Sequence, residues 1–256
     1  MSEKYYFASD FHLGVPNGAD SLIRERKVVA WLDQVKIDAT EIFILGDVFD
    51  FWFEYKTVVP RGYTRLLGKI AEITDSGIPV HWFIGNHDMW IFDYIPKELG
   101  VKMHREPIVR NLCGYRCYIG HGDGLGPGDY GYKFIKKIFR SPLMHWVFAR
   151  FHPNFGIGVA NFFSGRSRGK SYEADRKFLG KENEWLAIYS EEIGKQQPCD
   201  FFIYGHRHLP MALTLDAGGV YFNLGDWISY FTYGVLSASG FELKAAGPMP
   251  TVYSNS

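Results

Sequence analysis

Val80-His81-Trp82-Phe83-Ile84-Gly85-Asn86-His87-Asp88 sets a five-residue run rich in β-branched and aromatic side chains against a glycine and three polar residues. Such a run reads as a strand, and the polar residues then fall on the loop at its end. The order recurs along the chain. Lys4 to Ser9 leads into Asp10-Phe11-His12, Glu41 to Leu45 into Gly46-Asp47, Arg116 to Ile119 into Gly120-His121, and Phe201 to Tyr204 into Gly205-His206-Arg207-His208. In four of these five blocks a glycine immediately precedes the first polar residue. Leu22 to Val35 and Tyr63 to Ser76 carry apolar residues at helical spacing, so strand and helix alternate and a layered α/β architecture follows. After His208 the runs Met211 to Leu215, Val220 to Asn223, Thr232 to Ser237 and Phe241 to Lys244 predict a second, more antiparallel sheet, and Gly247 to Ser256 reads as a disordered tail.

The bulk properties narrow the class. A chain of 256 residues accommodates one large domain or a core with an insertion. Zero formal charge does not favour nucleic acid as a partner, and 17% aromatic residues must fill a core, an interface or a lipid-facing surface. Cys113, Cys117 and Cys199 lack zinc-knuckle spacing and cannot all pair, which favours a reducing compartment. Polar Met1-Ser2-Glu3-Lys4 runs straight into a strand, and no apolar run reaches the roughly 20 residues of a membrane span. These features predict a cytoplasmic protein, with attachment to a membrane surface left open.

Carboxylate, amide and imidazole groups at five strand ends suit a pair of divalent cations. Hydrolysis of a phosphate ester or anhydride needs a hydroxide at neutral pH and neutralisation of phosphoryl charge, and two metals about 3.5–4 Å apart supply both. Asp10 and His12 can turn toward one ion, Asp47 is the natural bridge, Asn86, His121 and His206 complete the second ion, and His208 returns to the first. Oxygen and imidazole donors without thiolate point to Mn²⁺, Fe or Zn²⁺ rather than Ca²⁺, with Mn²⁺ taken first. His87 is placed to protonate a leaving group or to stabilise phosphate charge, with Asp88 expected to orient its ring and raise its pKa. Arg207 is read as a surface residue, and His81, His104, His145 and His152 as structural histidines.

The set Asp-x-His, Gly-Asp, Gly-Asn-His-Asp, Gly-His and Gly-His-x-His resembles the calcineurin-like metallophosphoesterase superfamily. That resemblance implies an αββα fold, a β-sandwich flanked by helices, with a dinuclear site at one edge. Ser9-Asp10-Phe11-His12-Leu13-Gly14, Gly46-Asp47-Val48-Phe49-Asp50-Phe51-Trp52 and His121-Gly122-Asp123 are similar to the UDP-2,3-diacylglucosamine pyrophosphohydrolases of lipid A synthesis. Those enzymes release UMP and an acylated sugar 1-phosphate. The chain keeps His87 where the best-known branch of that family carries Arg. Asp129 and Tyr132, and Arg166-Ser167-Arg168-Gly169-Lys170-Ser171, resemble the family's sugar- and phosphate-contacting elements, so Asn86, Asp129, Tyr132, Arg166, Ser167 and Lys170 are the expected substrate contacts.

The segment 125–197 interrupts the alternation and reads as a helical insertion or cap, dividing a core of residues 1–124 and 198–246 from a tail at 247–256. Between Tyr130 and Tyr172 it holds Lys133, Lys136, Lys137, Arg140, Arg150, Arg166, Arg168 and Lys170 but no acidic residue, interleaved with aromatics such as Phe134, Trp146 and Phe155. A lipid with two apolar chains and an anionic head requires such a mixture, and basic amphipathic helices also bind anionic membranes. The expected partners are therefore a nucleotide-linked acylated sugar and, peripherally, the inner face of the cytoplasmic membrane. Another nucleotide diphosphate or phosphoester as substrate, and a scaffold that has lost catalysis, are the competing functions.

Overall fold

The computed structural model describes residues 3–126, 130–159 and 177–255, apart from the Tyr132 side chain. Among the described residues, twelve strands form two six-stranded mixed sheets. In the first, β1 (Tyr5–Ala8), β2 (Glu41–Ile44), β3 (Val80–Phe83) and β4 (Lys102–His104) run parallel, and β10 (Thr232–Ser237) and β11 (Gly240–Ala245) extend it antiparallel beyond β1. The second has the order β12 (Tyr253–Ser254), β8 (Pro210–Thr214), β9 (Val220–Leu224), β7 (Phe201–Tyr204), β6 (Tyr115–Ile119) and β5 (Ile108–Leu112).

Strand alternation assigns every apolar side chain to a layer. Tyr5, Phe7, Phe43, Leu45 and Phe83 of the first sheet meet Cys117, Ile119, Ile203 and Leu224 of the second in the core between sheets. The intervening residues Tyr6, Ala8, Ile42, Ile44, Val80 and Trp82 point the other way. There they pack against Val28, Trp31 and Leu32 of α1 (Gly18–Val35) and Leu66, Ile70 and Ile73 of α2 (Thr64–Asp75). Strands buried on both faces need apolar residues at every position, which is why these runs do not alternate with polar residues. On the far side of the second sheet Tyr118, Phe202, Tyr204, Met211 and Tyr221 bury Leu186 and Ala187 of α7 (Trp185–Gln196). The result is the expected αββα layering.

Local signals explain the helix boundaries. The Asn17 side chain accepts from Ala19 and Asp20 N–H and so starts α1 ahead of the predicted Leu22. The first turn of α2 has no cap of its own; buried Glu25 of α1 accepts from Arg65 and Leu66 N–H instead. A short α3 (Tyr94–Leu99) ends at Gly100 in the left-handed conformation. Within the interrupting segment lie α4 (Tyr130–Phe139), α5 (Pro142–Phe148), a helix α6 at 153–159 and a 3₁₀ turn at Lys181–Asn183.

Two expectations are corrected. The strands after His208 do not form one sheet: β8 and β9 join the second, while β10 and β11 join the first, because β1 needs a partner on the side away from β2 and pairs Tyr5 with Leu236. The C-terminal segment is not without structure. Tyr253 and Ser254 pair with Met211 and Ala212, the Tyr253 ring lies on Phe178, and the Asn255 amide both donates to and accepts from the Thr214 backbone.

Candidate metal centre

Each of the five blocks leaves the C-terminal end of a strand. Those of β1, β2 and β3 in one sheet and of β6 and β7 in the other converge on one edge of the sandwich. Backbone hydrogen bonds join the loops: Asp10 N–H donates to Gly46 O, His12 N–H to Asp47 O and Gly205 N–H to His121 O, at 3.1, 2.9 and 3.0 Å. Asp10, His12, Asp47, His206 and His208 all take left-handed φ values between 43° and 66°. Each such residue costs on the order of 1 kcal/mol, and Asp and His tolerate the region better than most. Backbone strain of this kind concentrates at functional sites.

The side chains gather as two groups that share Asp47. Asp10, His12, Asp47 and His208 form one, and Asp47, His121 and His206 the other, the potential ligand atoms of each lying within 4.8 Å of one another. Asn86 Oδ1 joins the second group, 3.2 Å from His121 Nε2, which is itself 3.4 Å from Asp47 Oδ2. In the first group His12 Nε2 and His208 Nε2 face each other at 3.2 Å. Asp10 Oδ1 is buried, accepts no hydrogen bond, and lies 3.3 Å from His208 Nε2 and 3.7 Å from His12 Nε2. Two imidazole Nε2 atoms facing one another beside an orphaned carboxylate oxygen are the donor set of a divalent cation, and the residues fit a pair of them. His121 Nδ1 is held by Leu45 O at 2.6 Å, which directs its Nε2 into the centre.

The electrostatic field has the matching sign. Burial disfavours a charged His12 ring, yet Asp10 and Asp50 overcome it and carry the pKa up to about 10. Burial is likewise outweighed at His121, where Asp47 leads a rise to about 10. Asp10 is drawn down to about 2 by His208 and His12 despite its burial. The cluster therefore favours positive charge strongly.

Close approach explains two of the glycines that precede the candidate ligands. A Cβ on Gly85 would collide with Asp47, standing 2.5 Å from its backbone N, and one on Gly205 would stand 2.5 Å from Asp10 Oδ2. Only glycine lets these loops pass so close to the carboxylates.

His87 lies beside the first group, its ring 4.8 Å from that of His12. Its N–H donates to Asp47 Oδ1 at 2.8 Å, its Nδ1 lies 2.9 Å from Asp50 O, and burial lowers its pKa. The expected role of Asp88 is corrected: its two oxygens accept from Gly85 and Val48 N–H at 2.8 and 2.9 Å, so it shapes the loops and does not orient His87. Burial, reinforced by Asp47, raises the Asp88 pKa to about 7. Arg207 is also corrected, from surface to interior. It is 5% exposed and makes a bidentate pair with buried Glu184 at 3.0 and 3.1 Å, since its neighbours in sequence face the centre and its own side chain must turn inward toward α7.

Two residues of the site escaped sequence reasoning. Asp50 lies 3.5 Å from His12 Nδ1, and Asp226 lies 3.3 Å from His208 Nδ1. Asp226 follows Leu224-Gly225 at the end of β9, the same strand, glycine and carboxylate order that marks Asp47, and that signal would have found it. Among the expected substrate contacts, Tyr132 falls on α4, while Asp129, Arg166, Ser167 and Lys170 lie outside the described residues.

Helices α4 and α5 dock beside the centre. Lys136 pairs with Asp123 at 2.6 Å, Trp90 Nε1–H donates to Phe139 O at 2.8 Å, and Phe148 packs on Phe51, Phe53 and Trp90. Their outer faces leave Phe134, Leu143 and Trp146 more than half exposed. Among the described residues no helix is long and apolar enough to cross a membrane.

Comparison with known proteins identifies relatives of this chain. The chain is similar over 97% of its length to the whole of a UDP-2,3-diacylglucosamine hydrolase of Porphyromonas gingivalis, at 39% identity. It is 28% identical to a protein of the same name from Vibrio parahaemolyticus, covering 93% of this chain and 96% of that one. The solved structure of Yfce, a phosphoesterase from E. coli, aligns over 96% of this chain and 95% of that chain with 18% identity and a TM-score of 0.49. The calcineurin-like phosphoesterase pattern matches residues 4–210, from the start of β1 to the beginning of β8 and thus across all five ligand blocks, and this chain belongs to that family.

Proposed function

We propose that this chain hydrolyses the pyrophosphate of UDP-2,3-diacylglucosamine to UMP and 2,3-diacylglucosamine 1-phosphate, the step that the resemblance places in lipid A synthesis. The observation that carries the chemistry is the sharing of Asp47 between two ligand groups. Asp10, His12, Asp47 and His208 would hold one cation, and Asp47, Asn86, His121 and His206 the other. When bound, two such cations supply Lewis-acid neutralisation of phosphoryl charge and a water acidic enough to attack at neutral pH. Mn²⁺ is the expected ion, with Fe or Zn²⁺ compatible with the same donors. With Nδ1 of His87 engaged by Asp50 O, proton exchange with the leaving oxygen runs through Nε2.

The substrate assignment draws on the named relatives, which match this chain nearly end to end and so include its interrupting segment. Helices α4 and α5 within residues 125–197 act in this reading as the cap that selects the acylated sugar, their exposed apolar residues supplying a surface for acyl chains, while α7 at the end of that range belongs to the sandwich. The same face would rest on the inner leaflet of the cytoplasmic membrane.

The test is release of UMP from UDP-2,3-diacylglucosamine. Activity should vanish with a chelator, return with Mn²⁺, and fall about 10²–10⁴-fold in His87→Ala. Turnover of a water-soluble nucleotide diphosphate with none of the acylated sugar would assign the centre to a different pyrophosphate.

A further inference from the structure

Asp226 is fully buried at the end of β9, with its two carboxylate oxygens engaged in different tasks. Oδ1 accepts three backbone N–H groups, from Ile228, Ser229 and Tyr230, at 3.1, 2.7 and 3.1 Å. Oδ2 faces His208 Nδ1 at 3.3 Å. Three donors on one oxygen fix the carboxylate plane, so the other oxygen is presented to His208 in a single orientation. The neighbouring Trp227 N–H donates to Asp10 O at 3.1 Å, which ties the same loop to a second ligand residue.

His208 needs such a support. Its side chain is 21% exposed, whereas those of Asp10 and His12 are almost wholly covered. A neutral imidazole carries one proton, and the nitrogen opposite the metal must hold it if the other is to present a lone pair. Two carboxylate oxygens lie 3.3 Å from the ring, but only Asp226 Oδ2 is in hydrogen-bonding geometry, at Nδ1, whereas Asp10 Oδ1 near Nε2 makes no hydrogen bond, so Asp226 selects the form with the proton on Nδ1. We propose that Asp226 is a positioning residue that holds His208 as its Nδ1–H tautomer, so that Nε2 faces the cation shared with Asp10 and His12. This rests on the reading of the centre as a pair of cation sites.

Asp226→Asn separates tautomer control from folding. The three backbone donors keep the amide oxygen on their side, which preserves the turn and points the NH₂ group at His208. That group demands an acceptor at Nδ1 and drives the ring proton to Nε2, where it blocks coordination. Calorimetric titration of metal-free protein with Mn²⁺ should show two ions bound by the wild type. In the variant the His208 site should be weakened about 10–100-fold, with the His121 and His206 site unchanged. Wild-type affinity at both sites in the variant would overturn the proposal. Should the variant fold poorly, long-range ¹H–¹⁵N correlation of the His208 ring in metal-free wild type above pH 8 decides the matter. The Nδ1–H form is expected, and a dominant Nε2–H form would overturn the proposal. Wild-type protein that takes up no divalent cation would instead overturn the metal-centre reading, and the ring spectrum would still decide the tautomer.

Discussion

Gly85→Ala is the sharpest probe of how this fold builds its centre. The φ of Gly85 lies outside the left-handed region, so alanine meets no backbone penalty and the effect is contact alone. The added Cβ would stand 2.5 Å from Asp47 N and 2.8 Å from Asp47 Cγ, with Oδ1 closer still. Carbon contacts relax near 3.5 Å, so Asp47 and Gly85 must separate by about 0.5–1 Å. Neither side yields freely: Gly85 N–H is bonded to buried Asp88, and Asp47 Oδ1 accepts the His87 N–H. Since Asp47 belongs to both ligand groups, its displacement disturbs both at once. A misplacement near 1 Å costs about 10²-fold in rate. Overpacking of a buried site adds a destabilisation of about 1–3 kcal/mol, or about 2–12 °C in Tm for a chain of this size. The assay is kcat/KM for UMP release at saturating Mn²⁺ beside thermal unfolding of the same preparation. A variant within about threefold of wild type in kcat/KM, with unchanged Tm, refutes the claim that the two loops interlock.

Gly68→Ala is the opposite case, because a Cβ at this interior position of α2 meets nothing within 4 Å; thermal unfolding should show a gain of about 0.5–1 kcal/mol with activity unaltered. Glu54 is buried and accepts from the N–H groups of Phe92, Asp93 and Tyr94 and from Trp52 Nε1, so Glu54→Ala should lose roughly 3 kcal/mol or more in denaturant titration. Arg207→Met leaves the Glu184 carboxylate buried without its partner and should cost about 3–5 kcal/mol, of which the double variant with Glu184→Leu regains most. Replacing the half-exposed Phe134 and Trp146 by serine should leave Tm nearly unchanged, raise KM for the diacyl substrate and reduce flotation with anionic vesicles, while a water-soluble phosphodiester is turned over as before.

The extent to which the structure could be read in advance follows the range of the interactions involved. Strands such as Glu41–Ile44 and Phe201–Tyr204 were visible because their apolar runs are local, and the loops behind them were visible because glycine and ligand stand side by side. The pairing of β10 with β1 is a contact across more than two hundred residues, and no period within Thr232–Ser237 states which sheet it joins. Arg207 and Asp88 failed for another reason. Each sits inside a ligand motif but turns its side chain away from the centre, and only the partners waiting there, Glu184 and the Gly85 and Val48 amides, reveal it. Asp226 was legible in principle, yet its role depends on a histidine eighteen residues earlier and on the turn that binds its other oxygen.

The two sheets also explain why strained ligands persist. A left-handed Asp10 or His208 would relax if its loop were tethered at one end, but each loop here is held from both sheets. Asp10 N–H is bonded to Gly46 O on the neighbouring loop of the first sheet, and Asp10 O accepts from Trp227 beyond the second. His206 N–H in turn donates to Asp10 Oδ2 at 2.9 Å, so a backbone group of one sheet orients a carboxylate of the other. The core between the sheets, with Phe7 stacked on Phe43 and both facing the second sheet, fixes the separation on which those bonds depend. Close-packed interiors resist small displacements, so the strain at the rim is held by packing well away from it. The geometry of the candidate ligands is thereby set by the sandwich itself, and this is why a hydrolytic centre can be read from five short blocks.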